Sequence, residues 1–175
     1  MLHAMKDAGC VNIRFGVESG SEKIIRSIMK SNKGCWKDAV IKAFSATKKV
    51  GIETTAMILI GSPGETLSDV RKTMRLLEAI KPGMIQVAYF TPYPGSLAYE
   101  RYCMDESYDG LYHYSPPMKN LSRIPSDDLK RLQRDIYKHF LMSPGFLLKH
   151  YMKYGVHYAL NSRVWFKLLR MTMNI

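Results

Sequence analysis

The sequence predicts an α/β fold in which about three parallel strands are joined by crossover helices and followed by a helical C-terminal tail. Three short apolar runs alternate with segments of helical periodicity, and each intervening segment is long enough for a crossover between parallel strands. The 175 residues are 46% hydrophobic and 23% charged, which suits a packed globular core. These observations exclude a disordered chain.

Each predicted element has local start or stop signals. Gly9 closes a short N-terminal helix, and Ser21 is placed to cap the helix that follows the first strand. Gly51 and Pro82-Gly83 end two longer helices. In chain order we predict a helix end at 2–8, a strand at 11–17, helices after Ser21 and at 36–50, a strand at 52–60, a helix at 67–80 and a strand at 84–90.

A change of composition divides the chain. We predict that residues 1–104 form the parallel core, that 105–125 are an irregular linker rich in Tyr and Pro, and that 126–175 form a basic helical extension. The formal charge is +11, and residues 119–175 carry 11 Lys/Arg against 3 Asp/Glu. Such a tail suits contact with a membrane surface, nucleic acid or an acidic partner, or it simply forms solvated helix faces.

The cysteines and the N-terminus bear on the compartment. Cys10, Cys35 and Cys103 are too few and too scattered for a disulfide framework or a metal clip, which indicates a reducing compartment. No uncharged run has the length of a membrane span, and residues 1–7 lack the features of a signal peptide. We therefore predict a cytoplasmic protein. The histidines show no metal-ligand spacing, so we assign no metal-binding residue.

All three strands end in polar turns that contain glycine, namely GVESGS, IGSPGET and TPYPGS. Parallel sheets with helical crossovers bind ligands at the C-terminal ends of their strands, so this edge is the predicted functional face. Glu18 is placed either to accept hydrogen bonds from a ribose diol or to cap the next helix. Gly61 and Gly64 either let the backbone approach a ligand or form a tight turn, with Glu65 in the first turn of the following helix.

Three motifs, FGVESGSEKIIRSIMK, MILIGSPGETLSDVRKT and YFTPYPGS, resemble the fourth, fifth and sixth strand segments of radical S-adenosylmethionine (radical SAM) enzymes. The resemblance covers about residues 2–102. It implies a partial TIM-type (β/α) barrel, with residues 1–104 as the C-terminal half of a (β/α)6 core. The Glu-Ser-Gly turn, the TPYPGS ending and the basic tail are most similar to the cobalamin-binding group, which includes anaerobic magnesium-protoporphyrin ester cyclases and methyltransferases.

The cofactor-binding residues are implied by this resemblance alone. Glu18 would contact the ribose of S-adenosylmethionine, and Lys30 would lie near the carboxylate of its methionine part. Residues 59–61 would supply backbone contacts to adenine. Met57 departs from the family pattern, which often has Gly or Asp there, so a side-chain contact is lost. The full set implied by the resemblance is Glu18, Ser19, Lys30, Leu59, Ile60 and Gly61.

A second departure concerns the iron–sulfur cluster. The family's CxxxCxxC motif, which binds a [4Fe–4S] cluster, is absent from this sequence. The cluster, and any cobalamin, would therefore be held by other parts of the intact family enzyme, and we expect no catalytic or metal-binding residue in this chain. We expect a fragment that has the missing N-terminal half as its partner, binds S-adenosylmethionine weakly and aggregates when isolated.

The resemblance implies a radical SAM enzyme of the cobalamin-binding type that, when intact, catalyses radical methylation or an oxidative cyclisation or rearrangement of an unidentified small molecule. One alternative is an RNA-modifying methylthiotransferase, but those enzymes usually end in a small β-barrel domain, which disfavours nucleic acid as a partner. The other is a non-catalytic binding module with a degenerate barrel. Tyr93 and Tyr112 are placed by loop position to line a substrate cavity.

Overall fold

The computed structural model describes residues 1–29, 36–103, 119–148 and 152. Within these ranges the predicted order β-αα-β-α-β is confirmed. The structure adds a short helix capped by Ser96, which sequence reasoning did not predict. The elements are α1 (Leu2–Asp7), β1 (Asn12–Glu18), α2 (Glu22–Met29), α3 (Trp36–Lys49), β2 (Glu53–Ile60), α4 (Leu67–Ile80), β3 (Met84–Tyr89), α5 (Leu97–Tyr102) and α6 (Ser126–Leu141).

The strands form one parallel sheet in the order β1-β2-β3. Gly16 on β1 lies opposite Met57 on β2, and Met57 lies opposite Gln86 on β3. Helices connect consecutive strands, which is the arrangement that parallel pairing requires. The fold is therefore the α/β class of a partial TIM-type barrel, as the sequence predicts.

The sheet has one buried face and one open face. On the buried face Val17, Ile58 and Val87 are each at most 1% exposed, and Phe15 contacts Phe44 of α3 with ring centroids 4.8 Å apart. Residues on the other face are mostly half-buried or exposed, and in a closed barrel this face would be interior. This open face carries Asn12, Arg14 and Gly16, then Thr55, Met57 and Leu59, then Met84, Gln86 and Ala88.

The chain divides into two compact units, residues 1–129 and 130–175. In the first unit, the described part of the predicted linker packs onto the turn after β2. The carbonyl of Leu121 accepts a hydrogen bond from the N–H of Gly64 at 2.9 Å, and the N–H of Arg123 donates to the carbonyl of Glu65 at 2.8 Å. This segment is therefore a strap over the turn.

The second unit contains most of α6. Ile136 and Leu141 are buried there, and the rings of Phe140 and Phe146 lie 5.1 Å apart between centroids. The helix ends shortly before Pro144, as the sequence predicts. Among the residues that the structure describes, no helix is both long enough and apolar enough to cross a membrane.

We expect the chain to associate with itself through its open face and through the outer edges of β1 and β3. N–H and C=O groups at the edge of a sheet pair readily with another chain, and exposed apolar side chains such as that of Met84 strengthen the contact. Met84, which is 41% exposed at the start of β3, belongs to this face. We expect Met84→Lys to raise the protein concentration at which aggregation begins, as measured by light scattering.

A matched variant tests whether the open face itself is responsible. Met142 is 58% exposed but lies outside the sheet, so Met142→Lys adds the same charge without changing the open face. Aggregation of this control should begin at the concentration found for the unmodified chain. An equal rise for both variants would show that net charge, and not the open face, controls association.

Candidate functional site

The carboxyl ends of the three strands lie at one edge of the sheet, as their parallel pairing requires. Glu18 ends β1, and Ile60 and Tyr89 are paired at the ends of β2 and β3. The three glycine-containing turns therefore meet at this edge. In parallel sheets this is the edge at which ligands bind.

Glu18 has an unusual backbone conformation that redirects its side chain. Its φ is +59°, in the left-handed region, and the pairing of β1 with β2 is irregular between Gly16 and Glu18. Bulges of this kind occur next to active sites, where they redirect a side chain. The Glu18 Oε1 atom lies 2.7 Å from the position that a β-carbon on Gly16 would occupy. The carboxylate therefore lies over Gly16, on the open face.

The surroundings of the Glu18 carboxylate favour a role in binding a ligand over a role in capping helix α2. Partial burial raises the pKa of Glu18 above its ordinary value. Among the described residues the carboxylate makes no hydrogen bond to the start of α2, so the capping alternative has no support there. A half-buried carboxylate held at the functional edge, in a backbone conformation that costs energy, is a candidate ligand-binding group.

The turn after β2 forms an elbow, defined here as residues 61–65. Gly61 and Gly64 have φ values of +81° and +70°, which glycine adopts without strain. Helix α4 begins at Leu67 with Thr66 as its N-cap, so the expectation that Glu65 lies in the first helical turn is wrong. The reason is that Thr66 and Asp69 form a capping box, which fixes the start of the helix after Glu65.

Glu65 is a buried carboxylate that holds this elbow together. Its side chain is 0% exposed, and Oε2 accepts hydrogen bonds from the N–H groups of Gly61 at 2.7 Å and Ser62 at 3.3 Å. Burial raises the pKa of Glu65 to about 7, although these two hydrogen bonds oppose the rise. Within the described residues Glu65 Oε1 and Ser62 Oγ are buried without a hydrogen-bond partner.

The GVESGS turn is fixed to α4 by a buried network. Ser19 is 0% exposed, and its hydroxyl lies 3.3 Å from that of Thr73. The Gly20 N–H donates to the Thr73 hydroxyl at 2.8 Å, and the Ser21 hydroxyl donates to Asp69 at 2.7 Å. Because the Ser19 hydroxyl serves this network, its cofactor contact stays a prediction from the resemblance. The network sets the position of Glu18.

Asp69 joins the GVESGS turn to the elbow. Burial alone would raise its pKa, but hydrogen bonds from Ser21, Thr66 and Lys72 hold the pKa of this carboxyl well below its ordinary value. Lys23 approaches Asp69 at 3.5 Å and also donates to the Gly64 carbonyl at 2.8 Å. One charged carboxylate thus connects the turns after β1 and β2.

The other predicted site residues are placed as follows. Leu59 lies on the open face, whereas the side chain of Ile60 is 1% exposed on the buried face, so only its backbone could contact a ligand. Gly61 is the first residue of the elbow. The predictions for Lys30, Cys35 and Tyr112 lie outside the described residues.

The described residues fit S-adenosylmethionine better than they fit an iron–sulfur cluster. The open face beside the Glu18 carboxylate would suit the ribose of the cofactor, and the elbow offers backbone groups nearby along the edge. No three His, Cys, Asp or Glu residues in the described ranges come together as metal ligands. The described residues therefore offer no ligand set for a cluster.

Comparison with known protein families identifies this arrangement. Residues 1–77 match the family described as the Radical SAM superfamily. The sequence of this part of the chain is therefore similar to that of radical SAM proteins. The matched residues contain β1, β2 and most of α4, so they include Glu18, the elbow and the network that connects them.

Curated relatives include several kinds of enzyme. The chain is 29% identical over 150 residues to an uncharacterized methyltransferase of Pyrococcus horikoshii, covering 83% of this chain and 32% of the relative. It is 24% identical over 149 residues to the anaerobic magnesium-protoporphyrin IX monomethyl ester cyclase of Rubrivivax gelatinosus, covering 84% and 26%. A threonylcarbamoyladenosine tRNA methylthiotransferase of Thermotoga maritima is 29% identical over 90 residues, covering 51% and 20%. The chain thus spans about a third or less of these relatives.

Proposed function

We propose that this chain is part of a radical SAM enzyme of the cobalamin-binding type, and that its strand-end edge binds S-adenosylmethionine. The intact enzyme would carry out radical methylation or an oxidative cyclisation or rearrangement of a small molecule. The observation that carries the proposal is the Glu18 carboxylate, turned onto the open face at φ +59° beside a glycine. In such enzymes the cofactor supplies an adenosyl radical, and the protein binds and orients it.

The length of the matches supports the methyltransferase and cyclase type over the RNA-modifying type. The methyltransferase and cyclase relatives align with 83% and 84% of the chain, so their similarity extends into the C-terminal part. The match to the tRNA methylthiotransferase covers 51%. An RNA-modifying enzyme remains the second candidate, and salt-sensitive binding of tRNA would favour it.

The test of cofactor binding uses two variants that act on the same carboxylate. Glu18→Ala removes it, and Gly16→Ala places a β-carbon 2.7 Å from Oε1, which forces the carboxylate aside. We expect each variant to weaken S-adenosylmethionine binding about tenfold, because a charged hydrogen bond to a ribose contributes roughly 1.5–3 kcal/mol. Isothermal titration calorimetry or equilibrium dialysis would measure the dissociation constant.

Two further variants separate binding from folding. Glu18→Gly should also weaken binding but raise the free energy of unfolding by about 1 kcal/mol, since glycine relieves the left-handed backbone. Asp38→Asn changes an exposed carboxylate on α3 and should leave the dissociation constant unchanged. If the Glu18 and Gly16 variants bind S-adenosylmethionine as tightly as the unmodified chain, the proposed site is wrong.

A further inference from the structure

A cavity of about 1020 Å³ lies beside the same edge, between the end of α2, the elbow and the segment after β3. It lies in the first compact unit, and Arg26, Pro63 and Tyr93 mark its three sides. Its volume is at the upper end of the range for pockets that bind small molecules. Tyr93, which the sequence places in a loop that could line a substrate cavity, lies in the wall of this cavity.

Most of the cavity wall consists of flat or apolar side chains. The rings of Phe90, Tyr93 and Tyr102 contribute to it, together with Pro63 and the side chain of Leu97, which is 60% exposed. An exposed leucine among aromatic rings and a proline favours contact with an apolar ligand body. These residues come from the elbow and from the segment after β3, so the surface is formed by the fold.

The hydroxyl groups of Ser27, Thr91 and Ser96 in the wall already have partners. Each donates to a main-chain carbonyl, those of Ile24 at 2.8 Å, Tyr89 at 3.3 Å and Tyr93 at 2.6 Å respectively. These hydroxyls therefore have no proton left to donate to a ligand. Recognition of a polar ligand group would fall mainly to the charged side chains of the wall.

Two arginines and one glutamate supply that charge. The Arg101 guanidinium lies over the Tyr102 ring, with Cζ 5.6 Å from the centroid, and forms no ion pair within the described residues. Arg26 uses one N–H to bind Glu22 at 2.6 Å, which leaves its other donors available. Glu100 also lines the cavity and is exposed. Because guanidinium groups match carboxylates and phosphates, the free donors favour an anion.

We propose that this cavity binds the substrate, and that the substrate has a flat apolar body carrying an anionic group that Arg101 and Arg26 hold. The proposal rests on the proposed function, because it takes the cavity to serve an enzyme whose cofactor lies at the neighbouring strand ends. It names the chemistry of the ligand, an anion on an aromatic or similarly flat group.

The experiment compares two fluorescent probes of similar shape on the full chain. 8-Anilinonaphthalene-1-sulfonate carries a negative charge, whereas N-phenyl-1-naphthylamine carries none. We expect Arg101→Gln to weaken binding of the sulfonate about fivefold, and Arg26→Gln to weaken it by a smaller factor because Glu22 already shares its charge. Binding of the neutral probe should stay unchanged. The loss should shrink as the salt concentration rises.

Matched variants locate the effect in the cavity. Arg71→Gln removes an exposed arginine of α4 that does not line the cavity, and it should leave both probes unaffected. At the wall position Leu97, Leu97→Glu should weaken and Leu97→Lys should strengthen sulfonate binding, while both affect the neutral probe equally.

Three other results would contradict the proposal, and each would have a different cause. Unchanged sulfonate binding in the Arg101 and Arg26 variants would mean that neither arginine holds an anion. Equal losses for both probes would mean that the substitutions disturb the wall, and an equal loss in Arg71→Gln would mean that net charge is responsible. The probes bind without the cofactor, so this experiment can fail while the proposed function holds. The proposed function fails separately, if Glu18→Ala leaves S-adenosylmethionine binding unchanged.

Discussion

Glu65→Ala will lower the free energy of unfolding by about 3 kcal/mol, because it leaves two buried N–H groups without an acceptor and opens a small cavity. These N–H groups belong to Gly61 and Ser62, and Glu65 Oε2 accepts from both. Urea unfolding followed by circular dichroism would measure the loss. Midpoints that agree across several submicromolar protein concentrations would exclude a contribution from association.

Glu65→Gln separates the hydrogen bonds from the charge. The amide oxygen of the introduced glutamine can still accept hydrogen bonds from Gly61 and Ser62. We therefore expect Glu65→Gln to lower the free energy of unfolding much less than Glu65→Ala does. Hydrogen–deuterium exchange of residues 61–65 would show the difference directly, with fast exchange in Glu65→Ala and slow exchange in Glu65→Gln. Equal exchange in the two variants would mean that the elbow does not depend on this acceptor.

The same pair of proteins gives a defined dependence on pH. Burial raises the pKa of Glu65 from 4.5 to about 7, so between these values the folded chain holds a proton that the unfolded chain has released. The stability contributed by protonated Glu65 is therefore complete below about pH 4.5 and is lost as the pH rises through about 7. The loss is on the order of 3 kcal/mol, at about 1.36 kcal/mol for each unit of pKa shift.

Two charged neighbours of Glu65 act in opposite directions over this range. Asp69 raises the Glu65 pKa and stays ionised, because its own pKa is lowered, while Lys23 opposes the rise. Glu65→Gln cannot titrate there, so the unmodified chain should lose stability relative to it as the pH rises from 4.5 to 7. A difference that stays constant over this range would show that the buried carboxylate titrates near its ordinary value.

The order of the elements and the functional edge could be predicted from the sequence because both depend on local patterns. Apolar runs such as 56–60 indicate buried parallel strands, and glycines at their ends mark the turns. Parallel pairing then requires that the ends of the strands share one edge. Glu18 is identified from its motif, and the structure adds the left-handed φ that no sequence pattern specifies.

The contacts between the turns could not be predicted, because they join residues far apart in the chain. The Ser21–Asp69 hydrogen bond connects positions 48 residues apart, and no periodicity reports it. Glu65 resembled an ordinary residue of a first helical turn, since acidic residues are common there. The strap at 119–125, which forms hydrogen bonds with the main chain of Gly64 and Glu65, comes from a segment of irregular sequence that gives no sign of this contact.

Gly20→Ala will disrupt the contact between the GVESGS turn and α4, and we expect a loss of at least about 3 kcal/mol in stability. A β-carbon on Gly20 would stand 2.3 Å from the carbonyl oxygen of Lys72 and 2.5 Å from the Cα of Thr73. Both are main-chain atoms inside a helix, so neither can move aside cheaply. The turn must therefore withdraw and give up the Gly20–Thr73 hydrogen bond.

Gly145→Ala makes the same chemical change where nothing lies within 4 Å of the new β-carbon, so it should leave the urea midpoint of the first unit unchanged.

In Gly20→Ala the withdrawal of the turn should also abolish S-adenosylmethionine binding, because Glu18 is only two residues from Gly20. It should also expose the Ser19 and Ser21 amides to fast hydrogen exchange. Thr73→Val, which removes the acceptor without a clash, should have a smaller effect of the same kind. If Gly20→Ala were as stable as Gly145→Ala, then α4 would not hold this turn, and the position of Glu18 would have to depend on the strand bulge alone.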